Sequence, residues 1–101
     1  MKTDRELLEL AAKASGELTA SWYGNDAYFD GVLSRWNPLE SDGDALRLAV
    51  RLSLLVDVTA FSVTAMVNGV ISAKEKHDAE PYAATRRAIT RAAAAIGESM
   101  P

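Results

Sequence analysis

The chain has no cysteine, a single histidine and no long apolar run, and each of these absences excludes a class of protein. Without cysteine there is no disulfide framework and no thiolate metal site, so nothing indicates an oxidising compartment. A membrane span needs roughly 18 apolar residues in succession, and the runs here are far shorter. Residues 1–6 are charged and lead into a helical pattern, unlike a signal peptide. We therefore expect a soluble cytoplasmic protein that does not contact a membrane.

Positive charge is also scarce, with 11 Lys and Arg against 14 Asp and Glu, for a net charge of −3. A general binder of nucleic acid is normally basic, so the composition disfavours that class, although one locally basic face is still compatible with it. What is present is typical of a folded protein: 101 residues with 49% hydrophobic and 25% charged side chains. This composition predicts a single globular domain over residues 1–101.

Three segments combine helical apolar spacing with helix-capping residues, which predicts helices over residues 4–15, 43–53 and 81 to about 96. Thr3 and Glu6 have the capping-box spacing before the first helix. Gly97 is expected to end the third helix. The residues predicted to share a buried helix face are Ala45, Leu46, Ala49 and Val50 in the second helix, and Tyr82, Ile89, Ala92, Ala93 and Ile96 in the third.

Between the helices the apolar period changes to two, which is typical of strands. Strands are expected at residues 17–23, 27–33, 54–58, 61–67 and 70–76. Asn68 and Gly69 predict a two-residue hairpin turn, which would pair Met66 with Ile71 and Thr64 with Ala73. The resulting order α-ββ-α-βββ-α predicts an α+β domain whose mainly antiparallel sheet has about five strands beside three helices. Apolar residues on both faces of the last hairpin favour a three-layer α/β/α sandwich.

The candidates for catalysis or metal binding are weak. Glu40, Asp42 and Asp44 could offer oxygen ligands to a divalent cation, but the rest of a calcium loop is missing. Their place at the start of the second helix explains them as a negatively charged helix N-terminus. His77, the only histidine, lies in a polar connector, and the sequence has no nucleophile elbow or reactive cysteine. We predict no catalytic residue, no metal and no cofactor, and therefore a protein that is not an enzyme.

A binding surface is predicted where side chains have no evident architectural role. Three arginines make the third helix locally basic, and two on the second helix could extend that face toward a phosphate backbone or an acidic protein. The alternative is a solvated face whose arginines pair with the chain's carboxylates, and the charge pattern favours it. The candidate surface consists of Trp36, Asn37, Arg47, Arg51, Arg86, Arg87 and Arg91.

Aromatic residues are concentrated before residue 37, and two explanations are open for them. They could line a ligand or protein contact, or they could form the core of a small sheet with alternate members half exposed. The residues concerned are Trp22, Tyr23, Tyr28, Phe29 and Trp36.

Two segments resemble proteins of phages and prophages. They are Trp-Asn-Pro-Leu-x-x-Asp-Gly-Asp-Ala-Leu-Arg-Leu-Ala-Val-x-Leu at positions 36–52 and Pro-Tyr-Ala-Ala-Thr-Arg-Arg-Ala-Ile-x-Arg-Ala-Ala-Ala-x-Ile-Gly at 81–97. With the helix start at 3–14, they cover about half of the chain and are similar to a family of unknown function called the phage ABA sandwich domain. Ser41 stands where the family has a further acidic residue, and it is still a good helix cap.

The resemblance implies a viral or prophage origin, a bacterial host cell, the sandwich fold and no assigned catalytic residue. Together with the composition, it favours a binding protein whose partner is a host or phage protein. A nucleic-acid-associated protein that uses the arginine face is one alternative. A small-molecule or metal binder at the 36–44 corner is another. The oligomeric state is not predicted.

Overall fold

A computed structural model describes residues 2–16, 20–23, 26–29, 35–68, 70–76 and 80–101, with only the backbone at 20–23, 26–29, 35, 70 and 71. Within these residues the chain forms three helices and six strands. The helices are α1 (Asp4–Ser15), α2 (Asp42–Arg51) and α3 (Pro81–Ser99). The strands are β1 (Ala20–Tyr23), β2 (Asp26–Phe29), β3 (Arg35–Trp36), β4 (Leu55–Val58), β5 (Ser62–Val67) and β6 (Val70–Lys76). No helix in these described ranges is long and apolar enough to cross a membrane.

The predicted α+β class and the three helices are confirmed, but the strands of the described residues form two antiparallel sheets instead of one. The sheets have the orders β1-β2-β3 and β4-β5-β6. The two-residue strand β3, which the sequence did not predict, completes the first sheet by pairing with β2. Each sheet is built from strands that follow one another in the chain, because neighbouring segments pair with the smallest loss of chain entropy. Helix α2 separates the two sets of strands along the sequence.

Helix α3 is the central element of the described fold. One face of α3 packs on β5 and β6 through Ala84, Ala88 and Ala92. A second face, which includes Ile89 and Ala93, joins the core formed with α1 and α2. Alanine suits this position because its short side chain lets elements approach on two sides of the helix. The layers are therefore the β4–β6 sheet, then α3, then α1 and α2.

This order of layers does not confirm the α/β/α sandwich, in which the sheet would lie between helices. The face of the sheet turned away from α3 carries the exposed side chains of Leu55, Asp57 and Lys74. Within the described residues, this face therefore shows no second core layer like the one that packs against α3.

Gly97 does not end the third helix as predicted, because α3 continues to Ser99. The glycine is buried inside the helix against α1. A Cβ atom at this position would lie 2.0 Å from the carbonyl oxygen of Leu10. Gly97 therefore serves the close approach of two helices, whereas Gly16, with a φ of 85°, ends α1 in the left-handed conformation.

The β5–β6 hairpin forms with a change of register. Asn68 has a φ of 52°, as a two-residue turn requires, whereas Gly69 lies outside the described residues. Met66 pairs with Ile71 as predicted, but Thr64 pairs with Lys74 instead of Ala73. The register shifts between Ala65 and Met66 and brings two buried alanines, Ala65 and Ala73, opposite each other. The predicted pairing was wrong because the bulge keeps the second alanine on the face that packs against α3.

The first helix begins as predicted. The side chain of Thr3 accepts a hydrogen bond from the N–H of Glu6, and the carboxylate of Glu6 accepts one from the N–H of Thr3. This reciprocal pair is a capping box. The bond from the Thr3 N–H, followed by the one from the Thr3 hydroxyl, holds the pKa of Glu6 below its ordinary value.

Candidate protein-binding groove

Trp36 and Asn37 do not belong to a binding surface, because both are buried. Trp36 is 8% exposed and packs in the core with α2 and α3. Asn37 is 3% exposed, and its Oδ1 accepts a hydrogen bond from the N–H of Leu39. Its carbonyl oxygen accepts two more from the backbone of residues 40 and 41. Asn37 therefore shapes the turn before α2, which corrects its prediction as a surface residue.

Two carboxylates of this corner, those of Asp42 and Asp44, form hydrogen bonds with other groups of the same chain. The two oxygens of Asp44 accept hydrogen bonds from the N–H of Asn37, at 2.9 Å, and from Arg47, at 2.7 Å. Asp42 accepts one from Arg86 at 2.7 Å. The hydroxyl of Ser41 caps α2 by accepting from the N–H of Asp44. Asp42 and Asp44 thus lie in the first turn of α2 and act as hydrogen-bond and ion-pair acceptors, which agrees with the simpler of the two explanations from the sequence.

No group of three or more acidic, histidine or cysteine residues is placed to hold a metal ion in the described part of the chain. His77, the only histidine of the sequence, lies outside the described residues.

The five candidate arginines do not converge on one basic face. Those of α3 each bond to a different element: Arg86 to Asp42 and the carbonyl of Leu39, Arg87 to Asp4, and Arg91 to Glu75 and the carbonyl of Lys74. Of the two on α2, Arg47 pairs with Asp44 within the helix, and Arg51 lies beside the end of α1. The structure therefore agrees with the alternative in which the arginines pair with the chain's carboxylates.

An apolar groove lies between α2, β4 and the first half of α3. Its volume is about 490 Å³. The side chains that give the groove its apolar character are Ala45 and Leu46 of α2, Val56 and Val58 of β4, and Tyr82 and Ile89 of α3. Concave apolar sites of this size are where proteins hold ligands or segments of other proteins.

Large apolar side chains around the groove are exposed to solvent. Leu46 is 63% exposed, Tyr82 is 64% exposed and Val58 is 52% exposed. Single exposed apolar residues are ordinary, but several around one concavity mark an interaction site. The groove is therefore the best-supported candidate site in the described residues.

A tight turn places two walls of the groove next to each other. Ser53, with a φ of 56°, follows α2 in the left-handed conformation. The N–H of Leu54 then bonds to the carbonyl of Ala49 and closes the end of the helix. Strand β4 starts one residue later, so α2 and β4 flank the same space over α3.

The sequence placed three residues of this region in buried helix faces, and the structure corrects this. Leu46, Val50 and Tyr82 are exposed, whereas the buried stripe of α2 is formed by Ala45, Leu48 and Ala49. Leu46 and Val50 lie beyond the part of α2 that α3 can cover. Tyr82 lies in the first turn of α3, at the end of the core. The sequence signal for this site was an apolar helix face that is wider than the area covered by neighbouring elements.

A second cleft, of about 510 Å³, lies between α1, β6 and α3, and both polar and apolar side chains line it. Arg87 and Arg91 border it, together with Lys2, which pairs with Glu98 at 2.8 Å. Because these cations are already matched by carboxylates, the cleft offers less to a ligand than the apolar groove does. The side chains of Trp22, Tyr23, Tyr28 and Phe29 lie outside the described residues, so the structure places none of them at either site.

Comparisons with family models, with curated proteins and with solved structures gave no match to this chain. The resemblance to phage ABA sandwich proteins therefore stays a prediction from positions 36–52 and 81–97.

Proposed function

We propose that this chain is a non-enzymatic binding protein that holds a segment of another protein in the groove between α2, β4 and α3. The observation that carries the proposal is the exposure of Leu46, Val58 and Tyr82 around an apolar concavity. Burying apolar surface contributes about 25 cal/mol per Å², so a partner that covers these side chains gains affinity from them. The partner class is the one expected from the sequence, but the contact surface is the groove instead of the arginines.

A phage or prophage origin and action inside a bacterial host cell form part of the proposal. They are supported by the resemblance of positions 36–52 and 81–97 to phage proteins. On this reading the partner is a host or phage protein.

The two alternative functions have less support. Arg86, Arg87 and Arg91 are paired with carboxylates, so nucleic-acid binding would require these ion pairs to exchange for phosphate. At the 36–44 corner, Asp42 and Asp44 are held by arginines, which leaves little for a metal or a small molecule.

The test is to compare two glutamate substitutions on α2 in capture experiments. Leu46 lines the groove, whereas Val50, four residues further along, is 71% exposed and lies outside the groove lining. Tagged wild type, Leu46→Glu and Val50→Glu would be used to capture proteins from a bacterial host lysate. We expect Leu46→Glu to reduce recovery of the partner at least about tenfold, because a charge in a buried contact costs more than 1.4 kcal/mol.

Val50→Glu is the matched control and should recover the partner as the wild type does. Equal recovery by Leu46→Glu would contradict the proposal, and so would the absence of any protein specific to the wild type. Recovery of nucleic acid by all three variants would favour the first alternative.

A further inference from the structure

We infer that the groove binds an extended segment flanked by lysine or arginine, which adds a fourth strand to the sheet beside β4. The inference rests on the proposed function and specifies the chemistry of the partner. It combines the edge position of β4, the direction of the backbone groups along that edge, and the charge at the rim of the groove.

Strand β4 is the edge of its sheet. In the order β4-β5-β6, no strand of the described chain pairs with the outer side of β4. The N–H of Thr59 bonds to the carbonyl of Ser62, in register with the ladder between β4 and β5. Because hydrogen-bonded pairs alternate along an antiparallel ladder, Val56 and Val58 direct their N–H and C=O groups outward. An incoming strand would find two donors and two acceptors there.

The two residues of this edge border the groove. Val56 and Val58 both line it, and Ile89 of α3 is part of the same lining. A strand placed about 4.8 Å from β4 would lie over α3, between β4 and α2. Its alternate side chains would point at the apolar floor, as those of β5 do when Val63 and Ala65 pack on α3. The bound segment would therefore extend a packing arrangement that the fold already has.

The charge of β4 does not block this edge. Charged side chains that point into the neighbouring space are one way in which proteins protect edge strands. Asp57 is the only charged residue of β4, and it pairs with Thr64 on the face turned away from α3. The carboxylate of Asp57 therefore leaves the groove side open. It would lie beside the incoming strand on the sheet face that is turned away from α3.

The exposed charges beside the α2 and α3 walls of the groove are mainly acidic. Asp42, which lines the groove, and Glu80, which lies just before α3, have exposed carboxylates. The one arginine of the lining, Arg86, is 20% exposed and is held by Asp42 and by a backbone carbonyl. Exposed negative charge thus exceeds exposed positive charge, in line with the net charge of −3. Complementarity then favours a segment with basic flanks.

Synthetic peptides test the inference on the protein as it is. The first probe is a short peptide of alternating valine and threonine with two lysines at each end. The second replaces the lysines by glutamates, and the third keeps the lysines but carries N-methyl groups on alternate backbone amides. We expect the lysine peptide to bind in a calorimetric titration. The glutamate and N-methyl peptides should each bind at least about tenfold more weakly, because one loses charge complementarity and the other loses strand pairing.

A matched pair of substitutions tests the edge from the side of the protein. Val58→Pro removes an outward N–H, a change that edge strands tolerate, whereas Val58→Thr keeps this N–H and nearly the same shape. We expect the proline variant to bind the lysine peptide at least about tenfold more weakly and the threonine variant less than about threefold more weakly. A thermal transition close to that of the wild type shows that each variant is folded. If the proline variant does not fold, the N-methyl peptide measures the same backbone contribution.

Three results would overturn the inference: no binding of the lysine peptide, equal binding of the N-methyl peptide, or equal binding of the glutamate peptide. A dimer of the free chain that Val58→Pro dissociates would also overturn it, because the edge would then belong to a second copy. Capture of a partner that depends on Leu46, without any binding of strand peptides, would leave the proposed function standing and reject this inference alone. Recovery of a partner that is the same for the wild type and for Leu46→Glu would reject the proposed function.

Discussion

Replacing Gly97 by alanine is expected to destabilise the protein by about 2–3 kcal/mol, which corresponds to a fall in Tm of roughly 10–20 °C. The added Cβ would lie 2.0 Å from the carbonyl oxygen of Leu10 and 2.9 Å from its carbonyl carbon. Both atoms belong to the backbone of α1, so the clash is relieved only if the two helices move apart. The gain in helix propensity from glycine to alanine, about 1 kcal/mol, is smaller than this cost. Urea and thermal unfolding measure the effect.

Gly43→Ala is the matched control, and Gly43 lies in α2, the third helix of the same core. There the nearest atoms to an added Cβ are those of the Arg47 guanidinium, at 3.3 Å, which belong to a flexible side chain. We expect this variant to be as stable as the wild type or more stable by up to about 1 kcal/mol. Similar effects of the two substitutions would show that α1 and α3 do not meet at Gly97 as the structure has it.

Replacing Asp44 by alanine is expected to cost about 2–3 kcal/mol of stability. Asp44 is buried, and its carboxylate is the acceptor for the N–H of Asn37, itself 3% exposed. Without this acceptor the buried N–H loses its bond, which alone costs about 1–3 kcal/mol. The first turn of α2 also loses a negative charge that the helix dipole favours. Urea denaturation of the variant measures the sum.

Arg47→Ala separates the buried hydrogen bond of Asp44 from its ion pair. Arg47 has a side chain that is 75% exposed, so its pair with Asp44 contributes little, of the order of 0.5 kcal/mol. Equal losses from Asp44→Ala and Arg47→Ala would contradict the account, because they would assign the stabilisation to the exposed pair. The comparison of the two variants also tests whether the residues before α2 have a structural role, as their hydrogen bonds indicate.

Local structure could be predicted from the sequence because local rules determine it. The capping box of Thr3 and Glu6, the cap at Ser41 and the turn at Asn68 depend on residues close together in the chain, and all three are confirmed. The β-bulge could not be predicted from turn length alone. It depends on which residue of β6 faces α3, and that is a property of tertiary packing.

Long-range packing decided the features that the sequence did not predict. A glycine near the end of a helical pattern is usually a helix stop, so Gly97 could not be distinguished from one without knowing that α1 lies against it. Trp36 was taken for a surface residue because no partner for it is visible in its own segment, yet it packs with α2 and α3. The division of the strands into two sheets likewise depends on contacts between distant segments.

The site differs from the predicted surface for the same reason. Periodicity assigned Leu46 and Tyr82 to buried faces because it cannot measure how much of a helix its neighbours cover. The arginines attracted attention as charges without local partners, but Arg86 and Arg87 find their carboxylates at distances of 44 and 83 residues along the chain. Both errors concern contacts between elements, which a single sequence does not report.

Site-specific photocrosslinking tests the groove as the binding surface most directly. A photoreactive phenylalanine analogue would replace Tyr82, which is 64% exposed and borders the groove, or Phe61, which is 81% exposed and lies outside its lining. Illumination of host cells that produce each variant should give a discrete adduct with one protein from position 82 and none from position 61. Adducts of equal yield from both positions, or adducts from position 61 alone, would contradict the assignment of function to the groove.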